Sequence, residues 1–374
     1  MKPNNPFLIA GYYSPEYFCD RKTETKSMIK ALYNGRNMTL TSPRRMGKTG
    51  LIHHVFNELK QQNPDILVFY IDIFSTQNLR EFVQLLASTV FGKIASAPQK
   101  TMRRIGNFIK SFRPVLTIDE FTGAPKITVD IAPATEEASL NEIFTYLQSL
   151  GKRCCIAIDE FQQITEYPEK GVEALLRSHI QFITNVNFIF SGSKQRIMQE
   201  MFLSAKRPFY QSTQILSIDR IDKEKYFRFA ADFFSAQYRE LTKETFSYIY
   251  DQFNGHTWYI QAVLNRLYSR RRKPNIILVN HVVSEIIAEN GYIYESMLSA
   301  YSANHIRLLK AVAKENCIKE INAGNFITQN KLKAASSVNA ALKKLIDKEL
   351  LYKTSNGYIV YDRFMAIWLR QQPY

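Results

Sequence analysis

The sequence predicts an α/β fold in which helices sandwich a parallel sheet, followed by an α-helical lid and a winged helix-turn-helix domain. Three observations predict it. Apolar segments of strand length alternate with segments of helical periodicity over residues 1–218. The next segment, 219–300, is helical and rich in aromatic residues. In residues 301–374, helical segments precede two β-rich stretches separated by an Asn-Gly turn. We therefore predict domains at residues 1–218, 219–300 and 301–374.

The composition is that of a folded, strongly basic protein. Of the 374 residues, 45% are hydrophobic and 13% aromatic, enough to fill cores in two or three domains. The formal net charge of +15 attracts polyanions. The four cysteines form no C-x-x-C pair, so no disulfide framework or cysteine metal site is predicted. Without a signal-peptide pattern or an apolar stretch of about 18 residues, we expect a cytoplasmic protein with no membrane partner.

The first predicted domain contains a short strand followed by four strands that we expect to be buried. They lie at 37–40, 66–74, 153–164, 186–193 and 213–218. Helical periodicity follows the first strand, and Ser139 to Glu142 has the pattern of a capping box that opens a helix ending near Gly151. A cationic amphipathic helix is predicted at 100–113, either as a solvated face or as a polyanion contact. Two alternating segments in 114–131 predict a β-hairpin.

The last 75 residues predict a winged helix. Apolar residues with helical spacing near Ile306 to Val312 precede a short polar helix at about 328–332 and a Ser-capped helix at about 337–348. The turn at Asn356-Gly357 then joins two short strands, because both residues tolerate positive φ.

The segment TSPRRMGKTG, residues 41–50, resembles the pattern G-x-x-x-x-G-K-[ST] of a phosphate-binding loop (P-loop), but Ser42 replaces the first glycine. In such a loop, backbone N–H groups and the following helix converge on phosphates, the lysine contacts the β and γ phosphates, and the hydroxyl binds Mg²⁺. A small serine followed by Pro43 can supply a similar bend. The predicted nucleotide contacts are Ser42, Pro43, Arg44, Arg45, Met46, Gly47, Lys48, Thr49 and Gly50.

A P-loop needs a partner acid, and Ile-Asp-Glu-Phe occurs twice, at 118–121 and 158–161. We favour the second because its strand is apolar throughout and follows a helix, and we expect that strand beside the loop strand. Asp159 would then bind Mg²⁺ together with Thr49, and Glu160 would act as general base. Ser191 or Ser193 would position the attacking water or sense the γ phosphate; a plain turn is the alternative.

Several stretches together resemble the archaeal-type ATPases of the AAA+ superfamily, which are related to the STAND signalling ATPases. They are SPRRMGKTGLI, IAIDEFQQI, IFSGSKQRIM, KRPFYQSTQIL and GHTWYIQ. The resemblance implies the P-loop NTPase fold with a helical lid and a winged helix, and ATP with Mg²⁺ as cofactors. It also implies that Arg21, in Phe18-Cys19-Asp20-Arg21, lies near the nucleotide base.

The sequence departs from that family at two places. Pro208 to Ser212 lacks the arginine of the usual Pro-Leu-Tyr-Gly-Arg, and Gly255-His256-Thr257 stands where Gly-x-Pro is frequent. Arg207 and Arg196 are the substitutes that we consider for the missing arginine. An arginine finger, which stabilises charge in the transition state, can raise the rate by about 10³ to 10⁵. Because that arginine is missing, slow intrinsic turnover is expected.

We predict a Mg²⁺-dependent ATPase in which Lys48, Glu160 and a serine of the 191–193 segment are catalytic, and in which the nucleotide state moves the lid and the winged helix. The alternative is a nucleotide-gated DNA-binding regulator or signalling switch with negligible hydrolysis. A small-molecule kinase is the weaker third hypothesis. No oligomeric state is predicted.

The winged-helix segment is basic, with twelve Lys or Arg against five Asp or Glu in 304–374. If its helix enters a major groove, the predicted DNA contacts are Asn339, Lys343, Lys344 and Lys353. The competing interpretation is that this domain packs on the ATPase core or on a protein partner.

Overall fold

The computed structural model describes residues 2–95, 112–118, 125–132, 135–354 and 356–372. The chain divides into two units: Ala10–Ile221, and Met1–Ile9 together with Asp222–Tyr374. The predicted domain boundaries at residues 218 and 300 stay predictions. Within the described ranges, we find no helix with the length and apolar character needed to cross a membrane.

The first unit is built on a five-stranded parallel sheet with the order β2-β5-β6-β1-β7. A separate antiparallel hairpin, β3-β4, confirms the predicted one. The strands are β1 (Met38–Thr41), β2 (Leu67–Asp72), β3 (Phe112–Ile118), β4 (Pro125–Ile131), β5 (Cys154–Asp159), β6 (Val186–Gly192) and β7 (Gln214–Ser217).

Helices cover both faces of this sheet, as predicted. The alternation along β5 shows how: Cys155 and Ala157 pack with α1 and α2, whereas Ile156 and Ile158 pack with α3 to α6. A strand buried on both faces must be apolar throughout, which explains the absence of alternation in its sequence. The helices are α1 (Lys22–Tyr33), α2 (Lys48–Gln62), α3 (Leu79–Ala95), α4 (Glu136–Ser149), α5 (Val172–Ile180) and α6 (Gln195–Leu203), with 3-10 helices at Pro15–Tyr17 and Phe161–Glu166.

The expectation that the acidic strand lies directly beside the loop strand is wrong. β6 pairs with β1 on one side and with β5 on the other. The two strands are therefore about 10 Å apart, two strand spacings. The prediction failed because hydrophobic patterns identify buried strands but do not give their order.

Two predicted helix boundaries in this unit are also wrong. The helix α4 begins at Glu136 after Thr135, and Ser139 is buried inside it without a described partner for its hydroxyl. Tertiary packing thus overrides the capping-box pattern. The predicted cationic helix at 100–113 lies largely outside the described residues, but its last two positions, Phe112 and Arg113, belong to β3.

The second unit contains helices and one small hairpin. Four helices cover the predicted lid segment: α7 (Lys223–Ser235), α8 (Lys243–Gln252), α9 (Thr257–Ser269) and α10 (Ile276–Ser299). The remaining elements are α11 (Ala303–Glu315), α12 (Gly324–Gln329), α13 (Ala335–Asp347), β8 (Leu351–Thr354), β9 (Gly357–Val360) and α14 (Arg363–Gln371).

The winged helix has the predicted order of three helices and a hairpin, with shifted boundaries. The helix α13 begins two residues before Ser337, and its N-cap, Ala334, provides no side-chain hydrogen bond. The sequence analysis did not predict α14, whose N-cap Asp362 accepts a hydrogen bond from the Met365 N–H. Gly357 of the wing has a φ of 139°, and a Cβ there would lie 2.4 Å from the Ile318 carbonyl oxygen.

Candidate functional site

The loop between β1 and α2 has the backbone of an anion-binding turn. Positive φ angles occur at Arg45 (65°) and at Gly47 (95°), the N-cap of α2, but not at Ser42. Because Gly47 has no side chain to cap α2, the first N–H groups of that helix can receive an anion. Ser42 is fully buried, and its hydroxyl donates to the Pro43 carbonyl at 3.0 Å. The structure therefore accommodates a serine where the common pattern has glycine.

Lys48 folds back across this loop. Its Nζ donates to the carbonyl oxygens of Ser42 at 3.1 Å and of Pro43 at 3.3 Å. Burial lowers the pKa of Lys48, while the negative charges of Glu160 and Asp159 oppose that shift. The ammonium group is thus held at the loop by backbone acceptors. It lies close enough to Glu160 and Asp159 for their charges to affect its pKa.

Asp159 ends β5 and is buried, with three hydrogen bonds to its carboxylate. Its Oδ2 accepts from Thr49 Oγ1 at 2.7 Å and from Tyr70 Oη at 2.8 Å, and its Oδ1 accepts from the Glu160 N–H at 3.1 Å. Burial raises the pKa of Tyr70, and the charge and hydrogen bond of Asp159 raise it further. The contact with Thr49 joins the P-loop to the acidic strand across the intervening β6.

Glu160 follows in a left-handed conformation, with a φ of 55°. Its Oε2 accepts hydrogen bonds from Gln162 Nε2 at 2.5 Å and from Ser193 Oγ at 2.8 Å. Within the described part of the chain, no hydrogen bond reaches its Oε1. The carboxylate is therefore anchored through one oxygen, Oε2.

The two predicted serines occupy different environments. Ser193 joins Glu160, whereas Ser191 is fully buried in β6 and its hydroxyl has no hydrogen-bond partner among the described residues. Between them, Gly192 lets Gln162 approach closely: a Cβ on Gly192 would lie 2.3 Å from Gln162 Oε1. The structure thus brings Ser193 to the site, while the Ser191 hydroxyl has no described hydrogen bond to either acid.

Arg21 contacts the loop from another direction. Its guanidinium donates to the Met46 carbonyl at 3.4 Å and pairs with Glu24 at 2.9 Å. Phe18 lies against the start of α2, with its Cε2 3.2 Å from the position of a Cβ on Gly50. Arg21 therefore braces the loop backbone, and its proximity to a nucleotide base stays a prediction.

The two substitutes for the missing family arginine do not contact Glu160. Arg207 forms an ion pair with Glu173 and lies 3.9 Å from Glu200, and Arg196 is exposed on α6. Burial raises the pKa of Glu173, and the charge of Arg207 opposes that shift. Arg207 is thus committed to a local pair.

The oxygen atoms of Thr49 and Asp159, which meet in the 2.7 Å hydrogen bond, suit a hard cation. A threonine hydroxyl and an aspartate carboxylate offer the oxygen ligands that Mg²⁺ prefers. The described residues contain no group of three or more His, Cys, Asp or Glu side chains arranged to hold a metal. Mg²⁺ keeps several waters and binds through one or two carboxylates beside substrate phosphates, so Thr49 and Asp159 could form the protein part of such a site.

Tyr70 and Gln162 were missed by the sequence analysis. Tyr70 lies inside an apolar strand, where a tyrosine is ordinarily a core residue. Gln162 follows the acid pair at a spacing that carries no catalytic signal by itself. Only the pairing of β2 with β5, in which Asp72 lies opposite Asp159, reveals that Tyr70 reaches the site.

Comparison with known proteins assigns the chain to a family. A family model described as an ATPase domain predominantly from Archaea matches residues 18–263, which include the loop, both acids and Ser193. The chain belongs to this family of ATPases. A second model, described as a "probable winged helix domain", matches residues 292–371 of the ATPase. The predicted membership is thus confirmed.

Solved structures share the fold of this ATPase along nearly its whole length. The Walker-type ATPase PABY2304 of Pyrococcus abyssi is 16% identical, with a TM-score of 0.67 over 98% of this chain and 99% of its own. The Aeropyrum pernix ORC2 protein, in ADPNP and ADP complexes, is also 16% identical, with a TM-score of 0.62 over 98% and 96%. The Aeropyrum pernix ORC1 protein in complex with DNA is 12% identical, with a TM-score of 0.53 over 99% and 97%. The comparison with curated protein sequences gives no match.

Proposed function

We propose that this ATPase binds Mg²⁺-ATP at the P-loop and hydrolyses it to ADP and phosphate. The observation that carries the proposal is the 2.7 Å hydrogen bond from Thr49 Oγ1 to Asp159 Oδ2. It unites a hydroxyl of the loop with a carboxylate two strands away, and these are the residue types that hold Mg²⁺ beside a nucleotide. The ADPNP and ADP complexes of the ORC2 protein support nucleotide binding by the shared fold.

Each side chain of the site has its own role in the proposed hydrolysis. Lys48 and the N-terminus of α2 bind the phosphates, and Thr49 and Asp159 would hold Mg²⁺, which neutralises charge on the phosphate oxygens. Glu160 orients a water molecule and takes its proton at Oε1. The water oxygen forms a bond to the terminal phosphorus while the bond from that phosphorus to the ADP oxygen breaks. Ser193 and Gln162 keep the carboxylate of Glu160 in position through Oε2.

Replacing the proposed base tests this assignment. Glu160→Gln keeps the shape and removes the proton acceptor, so we expect at least about a hundredfold lower phosphate release while ATP still binds. Lys48→Ala should weaken ATP binding itself. Phosphate release and ATP affinity are measured on the full chain, with Asp65→Asn as control: this exposed carboxylate lies before β2, at the opposite edge of the sheet. Equal release rates for wild type and Glu160→Gln would refute the assignment.

A second candidate function, DNA binding, is favoured by the charge of the winged helix. Lys343 is exposed on α13, in a segment with twelve basic and five acidic residues. The other predicted contacts are engaged locally: Asn339 accepts from Asn322 at 2.8 Å, and the ammonium groups of Lys344 and Lys353 lie 5.7 and 5.6 Å from tyrosine ring centroids. The ORC1 structure in complex with DNA supports this use of the fold.

The DNA hypothesis predicts that removing Lys343 weakens DNA binding and reduces its dependence on salt. Because each neutralised phosphate releases counterions, Lys343→Ala should lower the slope of log affinity against log salt by about 1. Fluorescence anisotropy with labelled duplex DNA measures this slope, and Lys170→Ala, an exposed lysine of the first unit, is the control. Equal slopes for the two variants, or no DNA binding by the wild type, would favour the interpretation that the winged helix contacts protein. Movement of the lid and winged helix with the nucleotide state stays a prediction.

A further inference from the structure

The side chain of Arg44 extends from the P-loop along the carboxyl edge of the sheet. Its Nε donates to Ser193 Oγ, beyond the end of β6, at 3.3 Å. Its Cζ lies 5.7 Å from the ring centroid of Phe74, beyond the end of β2. Since β5 lies between β6 and β2, the guanidinium is held near the place where Asp159 and Glu160 emerge.

A hydrogen-bond chain links this guanidinium to the proposed base. Arg44 donates to the Ser193 hydroxyl, which in turn donates to Glu160 Oε2 at 2.8 Å. The positive charge of Arg44 also contributes to lowering the pKa of Lys48. Arg44 is thus electrostatically coupled to Lys48, the proposed phosphate contact. Through the Ser193 hydroxyl, it is also linked by hydrogen bonds to Glu160, the proposed base.

The arginines considered from the sequence do not have this arrangement. Arg207 pairs with Glu173, and Arg196 is exposed on α6. A loop that carries its own arginine needs neither of them to place a second cation at the site. Arginine also suits phosphate better than lysine at such a position, because its planar fork can donate two parallel hydrogen bonds.

We propose that Arg44 is a catalytic residue that contacts the terminal phosphate of ATP from within the same chain, and that Ser193 links this contact to Glu160. The proposal rests on the proposed function, since it needs a nucleotide in the P-loop. When the guanidinium binds a terminal phosphate oxygen, the Ser193 hydroxyl still reaches Glu160 Oε2. The arginine thereby supplies charge stabilisation that the sequence lacks at Pro208 to Ser212.

Discrimination between triphosphate and diphosphate tests the inference without relying on turnover. Dissociation constants for Mg²⁺ with the non-hydrolysable analogue ADPNP, and for Mg²⁺ with ADP, are measured by calorimetry on the full chain. Arg44→Ala should weaken ADPNP binding by about tenfold or more, the loss expected for one charge-assisted hydrogen bond. ADP affinity should stay within about twofold of wild type. Arg44→Lys should bind ADPNP more weakly than the wild type and more tightly than Arg44→Ala, since it keeps the charge but loses the planar fork of donors.

The control is Arg36→Ala, which removes an exposed arginine just before β1, at the opposite edge of the sheet. It should change neither constant. An unchanged ratio of ADPNP to ADP affinity in both Arg44 variants would overturn the inference. If the wild type binds neither nucleotide, the proposed function itself fails, so the two failures are distinguishable.

A double-mutant cycle tests the link through Ser193. The single variants Arg44→Ala and Ser193→Ala and the double variant are compared in ADPNP affinity. If Ser193 positions the arginine, the double variant should bind ADPNP about as weakly as Arg44→Ala alone, because the two losses share one interaction. Losses that multiply would overturn the link.

Discussion

At the scale of single residues, Asp159 shows how side chains and backbone of the protein itself assemble the site. Its carboxylate accepts hydrogen bonds from the loop (Thr49), from the next strand (Tyr70) and from its own backbone neighbour. Hydrogen bonds to an ionised carboxylate are stronger than neutral ones and fix its orientation. The metal ligand proposed here is therefore oriented by the protein itself.

Replacing Gly192 should disturb the site through Gln162, the side chain that contacts Glu160. A Cβ at this position would lie 2.3 Å from Gln162 Oε1 and 2.5 Å from Met198 Sδ. We expect Gly192→Ala to displace Gln162 from Glu160, to slow phosphate release and to destabilise the fold by about 1–3 kcal/mol. Urea unfolding and phosphate release measure the two effects.

Gly92 supplies the matched control for that substitution. It lies in α3, and a Cβ built there meets no other atom of the described residues within 4 Å, apart from its chain neighbours and the backbone of its own helix. Gly92→Ala should therefore stabilise the protein by about 0.5–1 kcal/mol. If Gly192→Ala behaves like Gly92→Ala in both measurements, the close approach of Gln162 has no functional weight.

The sequence predicted those site residues whose chemistry has a fixed local spacing. Lys48 and Thr49 follow a glycine at a known interval, and Asp159 and Glu160 end a wholly apolar strand. Tyr70 and Gln162 escaped prediction because their roles depend on tertiary distance. Asp119, the rejected alternative to Asp159, lies outside the described residues. The strand β3 that precedes it belongs to the predicted hairpin, which is separate from the central sheet.

At the scale of elements, periodicity predicted the type of most segments but neither their ends nor their order. Ser139 and Ser337 matched capping patterns, yet α4 and α13 begin earlier, at Glu136 and Ala335. The residues that these helices add before the capping patterns are exposed or half-buried, and two of them, Glu136 and Glu137, place negative charge in the first turn of α4, where it is favourable. The order of the strands depends on long-range contacts, which a local pattern does not contain.

The N-terminal segment is an element whose partner was not evident from the sequence. Phe7 is fully buried against an aromatic cluster formed by Phe229, Phe233 and Phe234 of α7 and Tyr268 of α9. The Asn5 side chain donates to the Asn265 carbonyl, and the Asn265 side chain donates to the Phe7 carbonyl, both at 2.8 Å. Residues 1–9 are thus part of the second unit.

Removing this aromatic anchor should destabilise the second unit. Phe7→Ala leaves a cavity among four rings, so we expect a loss of about 3–5 kcal/mol in its free energy of unfolding. Both tryptophans, Trp258 and Trp368, lie in this unit, so tryptophan fluorescence during urea unfolding reports on it directly. Tyr292→Ala, an exposed aromatic on α10, should change the midpoint little. Equal midpoints for the two variants would show that Phe7 contributes no anchoring.

At the scale of the whole molecule, the basic charge and the P-loop give two different reasons to bind polyanions. The net charge of +15 acts at long range and is screened by salt. The nucleotide site instead acts through fixed groups within one unit, so its affinity should depend on metal more than on ionic strength. Salt dependence and metal dependence therefore separate the DNA hypothesis from the nucleotide hypothesis in the same protein.

Thr49 and Asp159 together should make nucleotide binding by this ATPase depend on Mg²⁺. The most direct measurement is the affinity for ADPNP with and without Mg²⁺, in the wild type and in Thr49→Val, which keeps the side-chain shape and removes the hydroxyl. We predict that Mg²⁺ tightens binding to the wild type and that Thr49→Val loses most of this gain while its metal-free affinity is retained. An equal gain from Mg²⁺ in both proteins would contradict the claim.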